Sequence, residues 1–226
     1  GRFPDSQSLA SAHSGMLTRS FYDGVYQIIT DSEYLWADVF PGVKMAATNS
    51  KEETIDFKEA PILYTHLSSN QRLTDCATRC DKILYADDLC SGIEEAMSKE
   101  RLDKLWSAYT NDLKSRKKEG AKEIHIATRW SVHDVIGRLE NQYGGDSRAK
   151  FIVLPALDAD GESNFNYTYG VGFSRHYFED MRNNLDEASF KALFMNQPIE
   201  REGLLYDVDE PVSYTHLRAH ETRHDL

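Results

Sequence analysis

Lys82-Ile83-Leu84-Tyr85-Ala86-Asp87-Asp88 is a short apolar run that ends in two adjacent carboxylates. An apolar stretch of this length reads as a strand buried on both faces, as in the middle of a parallel sheet. Open α/β sheets bind ligands beyond the C-terminal ends of such strands. Two carboxylates placed there can hold Mg²⁺ and orient a water against a phosphoanhydride, because that chemistry is mainly positioning and charge neutralisation. The usual companion of the pair, a glycine-rich G-x-x-x-x-G-K-[ST] loop, occurs nowhere in the 226 residues. An Asp-Asp pair after a strand equally suits a helix N-cap or a turn.

On either side of that run, strand-like and helix-like segments alternate. Ser6–Ser14 reads as a small-residue strand. Residues 16–40 read as one helix with Leu17, Phe21, Val25, Ile28 and Ile29 on its apolar stripe, ended by Pro41-Gly42. Residues 47–61 are polar and predict a loop or edge hairpin, and Ile62–Leu67 a strand. Ser91-x-x-Glu94 reads as a capping box that opens a long helix carrying Leu102, Leu105, Trp106, Tyr109 and Leu113, with Gly120 as its stop. Glu123–Thr128 alternates as a strand does. Ser131-x-x-Asp134 opens a further helix with Val132, Val135, Ile136 and Leu139, closed by Gly144-Gly145, and Phe151–Leu154 predicts another apolar strand. The polar stretch 158–172 reads as a loop, followed by short helices over 174–185 and 186–195. This order implies an α/β chain: a mostly parallel sheet flanked by helices, then a small helical segment.

A hydrophobic fraction of 40% marks a folded chain, and a net charge of −11 argues against a surface coated for nucleic acid while leaving room for a local basic patch. Lys114-Ser115-Arg116-Lys117-Lys118 suits a solvated helix end. Cys76, Cys80 and Cys90 lack zinc-ligand spacing and are too few for a disulfide framework, so they read as buried thiols. No stretch is long and apolar enough to predict a membrane span. The chain begins at Gly1 without an initiator Met, which implies truncation at that end. Residues 211–226 break from what precedes them. His216, His220 and His224 recur at helical spacing, but the segment resembles the conceptual translation of a transposase-type sequencing-library adaptor and is set aside from the fold.

Three strand ends carry polar residues able to converge: Asp87-Asp88, Thr128-Arg129 and Ser68-Ser69-Asn70. Residues 82–109 (KILYADDLCSGIEEAMSKERLDKLWSAY), 124–140 (IHIATRWSVHDVIGRLE), 151–158 (FIVLPALD) and 190–206 (FKALFMNQPIEREGLLY) together resemble the large terminase subunit of tailed bacteriophages. The resemblance extends over residues 3–206. It is most specific in the acidic strand with the helix after it, and in the block Thr128-Arg129-Trp130…Asp134…Gly137-Arg138-Leu139.

That resemblance implies a partial P-loop NTPase-type sheet over residues 1–157, whose phosphate loop would lie upstream, and a bridge segment over 158–210 leading towards a nuclease domain. It implies ATP and Mg²⁺ as cofactors. Asp87 matches the position that holds Mg²⁺ through water, and Asp88 the catalytic carboxylate that orients the attacking water, where many relatives carry Glu. Thr128 matches the residue that senses nucleotide state. Arg129 matches either a γ-phosphate sensor or a structural clamp, and Arg79 stands where an arginine finger acting on a neighbouring subunit is expected, with a surface salt-bridging arginine as the alternative. The implied partners are double-stranded DNA, the portal protein, the small terminase subunit and further copies in a ring on the procapsid. The implied setting is the cytoplasm of an infected bacterium, with no membrane. Two other readings stand beside it: a two-metal nuclease that adds Asp134 or Asp158 to the acidic pair, and a docking module in which the pair only caps a helix. Trp106, Tyr109 and Trp130 read as core residues, with DNA stacking as the alternative.

Overall fold

A computed structural model describes residues 6–58, 62–68 and 79–198. Ser69-Asn70, Cys76, residues 199–210 and the histidine-bearing segment 211–226 lie outside the described residues.

Strand β1 (Ser6–Ala12) sits inside a six-stranded sheet because its side chains are small. Leu9, Ala10, Ser11 and Ala12 are each 2% exposed or less, so elements pack closely on both faces. Its neighbours are β4 (Ile62–Ser68) and β5 (Ile83–Asp87), both parallel to it, and β5 is followed by parallel β6 (Lys122–Ile126). On the other side, β2 (Lys44–Asn49) and β3 (Thr54–Lys58) form the antiparallel hairpin that the polar stretch allowed, and β3 pairs antiparallel with β4. The order is β2-β3-β4-β1-β5-β6, which leaves β6 at an edge among the described residues.

Helix α1 (Gly15–Thr30) covers one face. The expected single helix over 16–40 is interrupted after Thr30. Asp31 caps a 3₁₀ turn by accepting from the Glu33 amide, Leu35 takes a left-handed φ of 52°, and only a short α2 (Trp36–Val39) follows. The buried stripe also differs from the expected one. Thr18 and Tyr22 are its buried residues, with Val25 and Ile29 packed beside them, whereas Ile28 is exposed. Tyr22 selects this rotation, since its hydroxyl bonds Thr48 Oγ1 on β2 while its ring packs on Ile55 and Phe57.

The opposite face is the main core. Leu84 and Ala86 of β5, at 0% and 1% exposure, meet Leu102, Leu105, Tyr109, Leu113, Val135 and Leu139. The helix after β5 is broken where one was expected. Glu95, not Glu94, reaches back to the Ser91 amide and hydroxyl at 2.7 and 2.9 Å over the single turn α3 (Ile93–Ala96). Ser98 then caps α4 (Lys99–Ala108), which runs into a π turn over Tyr109–Leu113. The helix expected to open at Ser131 starts later: Asp134, not Ser131, caps α5 (Val135–Tyr143), accepting from the Gly137 amide at 2.8 Å. Trp106 and Trp130 pack against this core and Tyr109 is 1% exposed, so all three serve as core residues. Cys80 and Cys90 are buried free thiols.

Phe151–Leu154 is not a strand. It joins no ladder among the described residues, and Ile152, Val153 and Leu154 are 68%, 55% and 64% exposed. The chain then enters a second cluster in which Ala156 and Leu157 pack with Phe178 of α6 (Arg175–Asn184) and Phe190 of α7 (Glu187–Met195). No helix among the described residues is long and apolar enough to cross a membrane.

Candidate active site

Parallel pairing sets Ala12 beside Asp87 and Asp87 beside Ile126, so the ends of β1, β5 and β6 lie side by side. Whatever follows each strand therefore meets at one edge: His13 after β1, Asp88 after β5, Thr128 after β6. β4 ends at the same level, with Ser68 beside Ala12.

Asp88 is the unusual residue of the group. Its φ is +46°, in the left-handed region that residues other than glycine rarely occupy. Its amide donates to the Ile126 carbonyl at 2.8 Å, and its own carbonyl accepts from His13 Nδ1 at 2.7 Å. Its carboxylate Oδ1 accepts from the Thr128 amide at 3.3 Å. The residue is thus tied to both neighbouring strands while its backbone turns away from the strand direction. It caps nothing: the next helix begins at Ile93 behind Gly92, with no side-chain cap. The helix cap that the docking-module reading gave to the acidic pair is not formed among the described residues.

Asp87 stands on the opposite face of β5 from Leu84 and Ala86, and its carboxylate makes no hydrogen bond among the described residues. Burial pushes the Asp87 carboxyl up from the usual aspartate range, and His13 opposes the shift. Burial also pushes Asp88 up, against the Thr128 amide and His13, with Asp87 adding to the rise. Neither acid pairs with a Lys or Arg among the described residues. Two adjacent carboxylates, desolvated and without a cation, form a hard oxygen donor set that fits Mg²⁺, which binds through one or two carboxylates and keeps several waters.

The remaining candidates are placed elsewhere. Arg129 is 12% exposed, with Nη1 2.9 Å from Glu140 and Nε 3.6 Å from Asp134, so it ties the loop after β6 to α5. Of the two roles open to it, this geometry supports the clamp. Arg79 is exposed and precedes β5, at the far end of that strand from Asp87. Asp134 is 3% exposed and occupied by the Ser131 and Gly137 amides, and Asp158 accepts from the Asp160 and Glu162 amides in its own turn. Neither joins the acidic pair, and no group of three metal-binding side chains exists among the described residues. The two-metal reading is overturned on those positions.

β6 carries a further feature that its alternation alone could not orient. Glu123 and His125 share the core face with Leu84 and Ala86, where Glu123 takes hydrogen bonds from Tyr109 at 2.6 Å, Lys117 at 2.6 Å and His125 at 3.2 Å. Ile124 and Ile126 consequently face the Asp87 side, 45% and 56% exposed, next to Ile83 at 40%. An apolar strip beside two acids, on a sheet edge, is a surface that ordinarily has a partner.

Two crystal structures share this arrangement of elements over most of the chain. The HK97 bacteriophage large terminase superposes with a TM-score of 0.58 at 12% identity, covering 87% of this chain and 40% of that one. The large-terminase ATPase domain of Thermus phage P74-26 superposes at 0.53 with 14% identity, covering 87% and 78%. The fold is similar to that of large-terminase ATPase domains. The chain spans 40% of the length of the HK97 large terminase. No protein-family model and no curated protein matches the sequence.

Nothing in the sequence points to His13. A histidine after a strand carries no motif, and its partner lies 75 positions away.

Proposed function

We propose that this chain forms part of an ATP-driven motor that packages double-stranded DNA into phage procapsids. The observation that carries the proposal is Asp88, a carboxylate held in a left-handed turn at the end of the acidic strand, capping nothing and tied to the amide of Thr128. Strain kept at one polar residue, and paid with bonds to both neighbouring strands, is characteristic of functional positions. The terminase-type fold supports the same reading.

In this proposal Asp87 would hold Mg²⁺, and Asp88 accepts a hydrogen bond from the water that attacks the γ-phosphate. A bound Mg²⁺ would neutralise charge that develops on the phosphates. The Thr128 amide, bonded to Asp88, senses the nucleotide state through that carboxylate. Arg129 clamps the sensing loop to α5, and Arg79 reaches a neighbouring subunit as an arginine finger. The strip formed by Ile83, Ile124 and Ile126 receives the element that carries the phosphate loop. Residues 158–210 form the bridge towards a nuclease domain and move with the hydrolysis cycle, shifting DNA held in a ring of copies. The portal protein and the small terminase subunit are the partners on the procapsid, in the cytoplasm of the infected cell.

The test is DNA-stimulated ATP turnover by the full-length protein. Asp87→Asn should lower kcat by at least about 100-fold, the scale expected when a charge-neutralising group is lost. The 226-residue chain, which lacks a phosphate loop, should show no Mg²⁺-dependent turnover. Turnover by that chain, or wild-type turnover by Asp87→Asn, would overturn the proposal.

A further inference from the structure

The turn at Asp88 raises a mechanical question: what prevents it from relaxing into an ordinary extended or helical conformation? Three hydrogen bonds converge on this residue, from β6, from the segment after it and from His13. The first holds the amide, as ladder continuation would. The second is long, at 3.3 Å, and holds only the carboxylate. The contact that fixes the Asp88 carbonyl, and with it the orientation of the peptide leading out of the turn, is His13 Nδ1 at 2.7 Å.

A carbonyl oxygen only accepts, so Nδ1 must carry the hydrogen whether the ring is neutral or charged. The backbone of His13 is held on both sides. Ala12 before it is 2% exposed in the sheet, and Ser14 after it caps α1 by accepting from the Leu17 amide. His13 therefore has strand on one side and a capped helix on the other, with little freedom to follow a moving partner. Rigid support of this kind keeps a reacting group in place.

We infer that His13 is a positioning residue for the hydrolysis proposed above, donating Nδ1–H to the Asp88 carbonyl and so holding the left-handed turn that aims the Asp88 carboxylate at the end of β6. The inference rests on that reading of the site. It assigns His13 no contact with nucleotide or metal. Its effect passes through Asp88, so loss of the donor should move kcat and leave KM nearly unchanged.

The experiment measures Mg²⁺-dependent ATP turnover by the full-length protein in four variants. His13→Ala and His13→Leu remove the donor, the second with side-chain bulk retained. His13→Asn restores a donor, since its Nδ2 falls near the place of the imidazole Nδ1. Asp88→Asn tests the reading beneath. The expected result is a fall in kcat of about tenfold to 100-fold for His13→Ala and His13→Leu, the scale of a misplaced reacting group. KM should stay within about twofold, and His13→Asn should recover most of kcat. Should His13→Ala lose its melting transition, the comparison of His13→Leu with His13→Asn decides alone. Equal kcat in those two, or wild-type kcat in either donorless variant, would overturn the assignment of His13 while Asp88→Asn remains dead. Full turnover in Asp88→Asn would instead overturn the hydrolysis reading, and His13 with it.

Discussion

The amide of Thr128 donates to Oδ1 of Asp88 across the ends of β6 and β5, 40 positions apart in the chain. That bond joins the loop after β6 to one carboxylate. It also bears on stability, because Asp88 is held in a strained turn and partly out of water.

Asp88 should therefore cost the fold stability. A carboxyl whose folded pKa lies above its unfolded value makes the native state bind more protons, so its contribution falls as pH rises upward from about 3.9. Asp88→Asn removes this penalty, keeps the acceptor for Thr128 and tolerates the left-handed φ. Asp88→Gly removes the strain as well. Each should raise unfolding free energy at neutral pH by about 0.5–1 kcal/mol in urea titrations. A loss of stability in both would contradict the strain.

Glu123 has the opposite sign. Burial alone would raise its carboxyl, but hydrogen bonds from His125, Lys117 and Tyr109 outweigh it and hold the group well below the usual carboxylate range. The stabilisation is present above the unfolded value of about 4.3 and is lost as pH falls through the depressed folded value. Glu123→Gln should cost about 2 kcal/mol at pH 7, since it strands Lys117 and weakens the bond from Tyr109. It should also flatten the acid side of a stability-versus-pH curve.

Gly137 lies in α5, where helix propensity alone favours alanine by about 0.5–1 kcal/mol. A Cβ there would sit 2.1 Å from the Val132 carbonyl oxygen and 3.3 Å from Arg129 Nη2. The clash involves backbone, so it decides the sign. Gly137→Ala should destabilise by about 2 kcal/mol or more. It should also disturb the Arg129 clamp, visible as a change in protection of the loop after β6 by hydrogen exchange.

The thiols should be silent. Burial pushes Cys90 up to about 12, and Cys80 is raised for the same reason. Peptide mapping after alkylation near pH 8 should find both at least about 100-fold slower in the native protein than in urea.

The acidic strand was legible because an apolar run and its two acids are contiguous, and the parallel α/β order followed from the alternation of segments. The Ser131-x-x-Asp134 spacing announced a helix nearby, but the helix starts three residues later because Asp134 itself is the cap. Legibility stopped where partners come from far along the chain. His13 meets Asp88 only because β1 and β5 are neighbours, and Arg129 finds Glu140 only through the fold of α5. Alternation in β6 showed a strand but not which face was inward, and it is Glu123 and His125 that take the core side. Phe151–Leu154 has the composition of a strand, yet pairing needs a neighbouring edge, and it meets none among the described residues. The break after Thr30 came from Asp31 bonding its own local backbone, a competition that an apolar stripe does not reveal.

The most direct measurement is Mg²⁺-dependent ATP hydrolysis by the full-length protein beside its Asp88→Asn variant, with melting curves to show that both are folded. A folded variant whose kcat is at least about 100-fold below wild type is the expected result. A folded Asp88→Asn protein that hydrolyses ATP within about threefold of wild type would contradict the role given to the acidic pair.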